Sequence, residues 1–195
     1  MDSKSTRDGD KEIELGLKYL KGDGVSIDET KAFKYFMDSG RAGNGFGVYL
    51  SAYCLYNGIG IDADIKTAID LYKIAANCGV PKAQLELGDC YFFGEGVRKN
   101  TVKAFELYQM AANNGEAEAM TNLGFCYYTG AGTKQNFELA VEWFNKATEQ
   151  GDAQAHYRLA ICYGAGNGVE KSAKLSFEHC LKSAEAGAPD ALCVY

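Results

Sequence analysis

YFFGEGVRKN, residues 91–100, places two glycines around one acidic residue directly after an aromatic run. Such a pattern suits either a loop that cradles phosphate or a corner between two helices. Repetition decides between them. The glycine pair recurs as Gly22/Gly24, Gly58/Gly60, Gly94/Gly96, Gly130/Gly132 and Gly166/Gly168, in GDG, GIG, GEG, GAG and GNG, always 36 residues apart. A dinucleotide-binding glycine loop follows a strand and opens a helix within one nucleotide domain. Here the turn lies each time between two helical patterns, so it reads as a corner.

A fixed internal period changes what every local signal means. Cys54, Cys90, Cys126 and Cys162 share one 36-residue column, which Lys18 breaks in the first copy. Ahead of the corner, AQLELGDCYFF places Ala83, Leu87, Cys90 and Tyr91 on one helical face. Beyond it stands a column of Asp28, Asp64, Asn100, Asn136 and Ser172, all residues whose side-chain oxygen accepts from a first-turn N–H. A second helix therefore starts there in every copy. It carries small residues at Ala32, Ala68, Ala104, Ala140 and Ser176, then Phe36, Tyr72, Tyr108 and Phe144, a column that lapses to Cys180. Gly43, Gly79, Gly115, Gly151 and Gly187 end it. Small residues let helices approach and the aromatic four positions on fills the space between them, so both columns are expected in the core.

The full unit is clearest in AQLELGDCYFFGEGVRKNTVKAFELYQMAANNG, residues 83–115, through Leu87, Gly88, Tyr91, Gly94, Gly96, Lys103, Ala104, Tyr108, Ala111, Ala112 and Gly115. It resembles the Sel-1-like repeat, a relative of the tetratricopeptide repeat. The resemblance implies an all-α fold, a right-handed α-α superhelix (solenoid) of about five 36-residue helix-turn-helix repeats, at 11–46, 47–80, 81–116, 117–152 and 153–188. Residues 1–10 are then a flexible tail, and 189–195 a partial sixth repeat or C-terminal cap, with Pro189, Ala191 and Tyr195 in the positions of Pro81, Ala83 and Leu87. Ser51, Ala52, Thr133 and Ala160 depart from the pattern. DSGRAGNGFG, residues 38–47, joins the first two copies with four glycines and is expected to be the softest joint.

Composition narrows the function classes. The chain has 195 residues, 47% of them hydrophobic, enough to bury a core. Its formal net charge of −6 and the lack of any basic cluster argue against nucleic acid and anionic lipid as partners. No segment approaches the roughly 18 apolar residues of a membrane span, and the polar N-terminus lacks a signal-peptide core. The expected location is cytoplasmic, without membrane insertion.

Seven cysteines, an odd number without a C-x-x-C, argue against a disulfide framework and against a metal site. Equivalent positions in stacked repeats lie roughly 9–10 Å apart, too far for a disulfide, which needs Cα atoms within about 7 Å. The four-cysteine column is therefore expected to be reduced and buried. Cysteine-rich bacterial relatives in the family carry a disulfide within each repeat, and some handle β-lactams. The close-spaced pair that would imply this is missing here.

Chemistry-bearing residues are few. His156 and His179 are the only histidines, and neither has a partner at a suggestive spacing; His156 shares a column with Gln84 and Met120 and reads as a surface residue. Glu138 and Glu142 sit at i, i+4 on a helix where a solvated face explains them. No catalytic residue, cofactor or metal ligand is assigned.

What remains is binding. In tetratricopeptide-like arrays the first helices line the concave surface, and positions that vary between fixed neighbours point into it. These are Tyr49/Leu85/Thr121/Tyr157, Tyr53/Asp89/Phe125/Ile161 and Tyr56/Phe92/Tyr128/Gly164. Tyr49, Tyr53, Tyr56, Asp89, Phe92, Phe125, Tyr128 and Tyr157 are the candidate contact residues, because aromatic rings anchor interfaces at low entropic cost. The third column is also placed to pack on the next repeat. The resemblance implies a non-catalytic adaptor or scaffold for a protein or peptide partner. The alternatives are a structural spacer, or an oligomerisation arm that forms a homo-oligomer through its terminal repeat.

Overall fold

The computed structural model describes residues 9–187. The expected first residues of the tail and the partial sixth repeat lie outside them. Among the described residues the chain is all-α, with ten α-helices and no strand. In order these are α1 (Asp10–Lys21), α2 (Glu29–Arg41), α3 (Gly45–Asn57), α4 (Ile65–Asn77), α5 (Pro81–Asp89), α6 (Thr101–Asn113), α7 (Ala117–Thr129), α8 (Phe137–Glu149), α9 (Ala153–Ala165) and α10 (Ala173–Glu185). A π turn at Cys90–Gly94 continues α5. The helices fall into two compact units that part near residues 90–99, inside the third repeat. The first holds α1–α5 and residues 95–98, and the second holds residues 91–94 and α6–α10.

Four of the five corners close by the same pair of hydrogen bonds, as the fourth shows, while the third, at the end of the π turn, is closed by the Glu95 N–H donating to the Cys90 carbonyl. Gly130, at φ 77°, ends α7, and its N–H and that of Ala131 both donate to the Cys126 carbonyl, at 2.8 and 3.1 Å. Only the left-handed conformation brings both donors back onto that carbonyl, and glycine adopts it without strain. The N–H of Asn136 then donates to the Tyr127 carbonyl at 2.8 Å, tying the start of α8 to the last turn of α7. Asp28, Asp64, Asn100 and Ser172 donate in the same way to Tyr19, Leu55, Tyr91 and Tyr163. All five cap side chains accept from the N–H three residues on, in Lys31, Thr67, Lys103, Leu139 and Leu175. Caps of this kind stabilise a helix by about 1 kcal/mol each.

The second glycine of the corner serves stacking. A Cβ on Gly132 would lie 2.1 Å from the Thr101 carbonyl oxygen, at the start of the preceding repeat's second helix. Gly60 meets Glu29 in that way at 2.2 Å, and Gly168 meets Phe137 at 2.3 Å. A Cβ on Gly24 meets nothing within 4 Å.

Inside each unit the small-residue and aromatic columns form the core. Ala32, Ala68, Ala104 and Ala140 are fully buried, and Phe36, Tyr72, Tyr108 and Phe144 nearly so. Burying each ring contributes roughly 2–3 kcal/mol. A Cβ on Gly124 would sit 2.6 Å from the Phe144 ring, so the first helix lies on that ring without a side chain between them. The glycine-rich joint of the first unit is likewise a tight contact rather than a soft one. A Cβ on Gly47 would be 2.3 Å from Ser39 Oγ and one on Gly45 2.7 Å from Cys78 Cβ, while Asn44 caps α3. These glycines bring α2, α3 and α4 together.

Gly132→Ala, which forces backbone against backbone at a strained φ, is expected to lower stability by at least about 2 kcal/mol in urea melts read by circular dichroism. Gly24→Ala meets only the conformational term and is expected to cost no more than about 1 kcal/mol. Tyr72 hydroxyl is buried without a hydrogen-bond partner. Tyr72→Phe, which matches Phe36 and Phe144, is expected to hold or raise stability by up to about 1 kcal/mol in the same melts.

Candidate functional site

Four of the expected contact residues belong to the first unit. Tyr49 is only 7% exposed. Its ring packs on the core ring of Tyr72 at 6.1 Å and on Tyr53 at 6.3 Å, so the structure places it beneath the surface rather than on it. The variability of its column reflects how each copy fills the space next to the core ring. Tyr53 is 38% exposed, and Phe46, which the sequence reading passed over, 39%. Asp89 is half-buried near the end of α5.

Tyr56 and Tyr128 show what the third column does. Tyr56 hydroxyl donates to the Glu95 carboxylate. That bond first, and partial burial second, push the phenol well above its ordinary pKa. Tyr128 hydroxyl accepts from Asn167 Nδ2 at 2.8 Å. Both partners are the middle residue of the glycine corner 39 positions later. Where the column holds Phe92, that middle residue is Ala131, and where it holds Leu20, it is Ile59. Leu20 and Ile59 pack on one hydrophobic cluster of the first unit. The two hydrogen bonds join successive repeats through this column, and in the other two pairs both positions are apolar. The paired variation at i and i+39 is the signal that would have revealed it from sequence.

In the second unit, Phe92, Phe125 and Tyr157 are half-buried. Phe92 and Phe125 rings lie 6.2 Å apart, with the core ring of Tyr108 6.3 Å from Phe92. The structure adds three residues that the sequence reading missed. Phe93 is 64% exposed and meets Phe92 edge-on at 5.1 Å. The Arg158 guanidinium lies over Phe125 at 4.5 Å, and Lys99 Nζ over Phe92 at 5.7 Å. Phe93 and Arg158 stand in columns that are otherwise polar or mixed, Asn57/Phe93/Thr129/Ala165 and Leu50/Glu86/Asn122/Arg158. A single aromatic or cation in such a column was the available signal.

The histidines are paired, contrary to the surface reading of His156. Their Nδ1 atoms are 3.0 Å apart between α9 and α10, and Tyr163 stacks on His179 at 5.4 Å. The column of Gln84 and Met120 is itself buried, which is why His156 points inward. Ring centroids 5.2 Å apart mean the nitrogens face each other nearly head-on. In this head-on arrangement one ring's Nδ1–H donates to the other's unprotonated Nδ1. Burial first, and Lys182 or the neighbouring histidine next, hold both rings below their usual pKa, with Asp152 and Glu178 opposing.

Cys54, Cys90, Cys126 and Cys162 are free and buried, as expected for their column. Burial pushes their thiols up to about 11, 12, 12 and 11, which leaves them protonated and poor nucleophiles at neutral pH. Cys180 is disulfide-bonded. That corrects the expectation from the odd count and missing C-x-x-C, which describe local spacing and carry no information on cysteines brought together by folding. No helix among the described residues is long and apolar enough to cross a membrane.

Stacked helix pairs, glycine corners and a first-helix surface bearing aromatic rings define an α-solenoid of helix-turn-helix repeats. The Sel1 repeat family model matches residues 12–36, 47–80, 81–116, 117–152 and 153–187, and the chain belongs to that family. Sel1 repeat proteins generally mediate protein–protein interaction. Among solved structures, the chain is similar to c5321 of uropathogenic Escherichia coli, described as a protective antigen displaying an SLR fold. They are 31% identical with a TM-score of 0.85 over 93% of this chain, which spans only 39% of that protein. A Sel1 repeat protein from Oxalobacter formigenes is 26% identical with a TM-score of 0.87, covering 98% of this chain and 78% of its own. Helicobacter pylori cysteine rich protein B is 26% identical with a TM-score of 0.53, covering 69% and 96%. No curated protein matches the chain.

A base whose folded pKa lies below its unfolded value stabilises the fold above the unfolded pKa. That stability is lost as pH falls from the unfolded value towards the folded one. The histidine pair therefore predicts stability that is full above about pH 6.5 and declines below it, by up to about 1.4 kcal/mol per pH unit for each extra proton the unfolded chain binds. Urea melts at pH 7.5 and 5.0 check this, with a His156→Gln, His179→Gln double variant expected to show the smaller difference.

Proposed function

We propose that the chain is a non-catalytic scaffold that holds a peptide or protein partner on the outward surface of its first helices. The observation that carries this reading is the set of aromatic rings left accessible there after the core and the junctions between repeats are filled. Tyr53 is such a ring in the first unit, and Phe92, Phe93 and Phe125 form such a group in the second. Rings of this kind supply contact area with few rotatable bonds, which is why they dominate the energetics of interfaces. Tyr56 and Tyr128 are engaged in joining repeats and support the surface from behind.

The test is a pull-down from lysate of the source cells with the intact chain and a Phe93→Ala, Phe125→Ala double variant in parallel, with bound proteins identified by mass spectrometry. A protein retained by the intact chain and lost by the variant, at unchanged circular dichroism, is the expected result. The same proteins captured by both would move the interaction away from these rings.

A further inference from the structure

We propose that the ring cluster of the second unit is a docking surface for an acidic peptide segment, one that sets an apolar side chain on Phe92 and Phe125 and acidic side chains on the flanking cations. This rests on the reading of the chain as an interaction scaffold and names the chemistry of its partner.

Two cations bracket the platform. Lys99 lies over Phe92 and Arg158 over Phe125, and the two rings are neighbours at 6.2 Å. The salt bridges Lys18–Glu14, Lys31–Asp28, Arg41–Asp38, Lys73–Asp70 and Lys174–Glu178 each join side chains three or four positions apart in sequence. Lys99 and Arg158 take part in none of them, nor in a hydrogen bond. Arg158 Nε is buried with no hydrogen-bond partner. With Nε covered and the residue as a whole half-buried, an incoming carboxylate would meet the guanidinium through its terminal Nη groups, in a charge-assisted hydrogen bond. Contact with the Phe125 ring holds the guanidinium in place in advance, so less ordering is needed on binding.

A chain carrying a net charge of −6 repels an acidic ligand at long range. Two unpaired cations on adjacent rings form a local exception to that field, and local complementarity selects the partner. Phe93, 64% exposed and edge-on to Phe92, extends the apolar floor beside them. The occupant is an internal segment that sets acidic residues close to a large apolar one, since each ring of the platform carries its own cation.

The test uses the full chain and three fluorescein-labelled dodecapeptides sharing a Leu-Phe centre, flanked on both sides by Glu, by Gln or by Lys. Fluorescence anisotropy is expected to show saturable binding of the Glu peptide only, weakening as salt is raised. Arg158→Gln and Lys99→Gln are each expected to weaken it by at least about fivefold, and Arg158→Lys by less than Arg158→Gln. The salt titration on the unaltered chain keeps the test independent of how the variants fold. Equal binding of the Gln and Glu peptides, both lost on Phe125→Ala, would overturn the acidic selectivity while leaving the interaction surface in place. No binding of the Glu peptide up to about 1 mM, or binding unaffected by Arg158→Gln, would overturn the proposal, whatever the lysate experiment shows.

Discussion

The stacking of repeats depends on the approach of two backbones. At Gly60, Gly132 and Gly168 the second glycine of the corner lies against the first peptide of the preceding repeat's second helix, so closely that a Cβ would fall 2.1–2.3 Å from a carbonyl oxygen, whereas a Cβ at Gly96 would meet the side chains of Ile65 and Ile69. No side-chain rearrangement relieves the backbone contacts, because both partners are main chain. With that distance fixed, the alanine column meets its aromatic column at a constant spacing, and each added repeat reuses the same core. A Cβ at Gly24 meets nothing within 4 Å, which marks it as the same corner without the contact.

Around this fixed backbone geometry the side chains at the junctions vary in pairs. Tyr56 with Glu95 and Tyr128 with Asn167 make hydrogen bonds, whereas Phe92 with Ala131 and Leu20 with Ile59 are apolar on both sides. A hydroxyl facing an alanine would lose its partner, and a carboxylate facing a phenylalanine would be desolvated without return. The corner's middle residue therefore answers to the repeat before it. The same logic reaches the proposed binding surface: Phe92 lacks the hydroxyl that Tyr56 and Tyr128 use, and its ring lies against Phe125, Phe93 and Lys99.

The two units carry different surfaces on one backbone pattern. In the first, Tyr53 and Phe46 are the accessible rings, backed by buried Tyr49. In the second, paired rings and two cations form the platform, while the only two histidines are turned inward at the interface of α9 and α10. The acid-responsive histidine pair and the proposed docking platform thus reside in different places of the same unit.

The sequence by itself determined the helices, corners and core. Their causes are local and repeated every 36 residues: Asp28, Asp64, Asn100, Asn136 and Ser172 cap, Gly130 and its equivalents turn, and Ala104 with Tyr108 fills the core. Side-chain partners across the fold were not legible in the same way. The expectation for Tyr49 failed because a column's variability does not distinguish a ring facing solvent from one filling space beside Tyr72. His156 and His179 are 23 positions apart, and only the antiparallel packing of α9 on α10 brings their nitrogens to 3.0 Å. Arg158 on Phe125 is a contact between neighbouring repeats, fixed by the stacking distance and the ring's tilt. Local periodicity encodes neither quantity, so tertiary structure alone decided which residues of this surface meet.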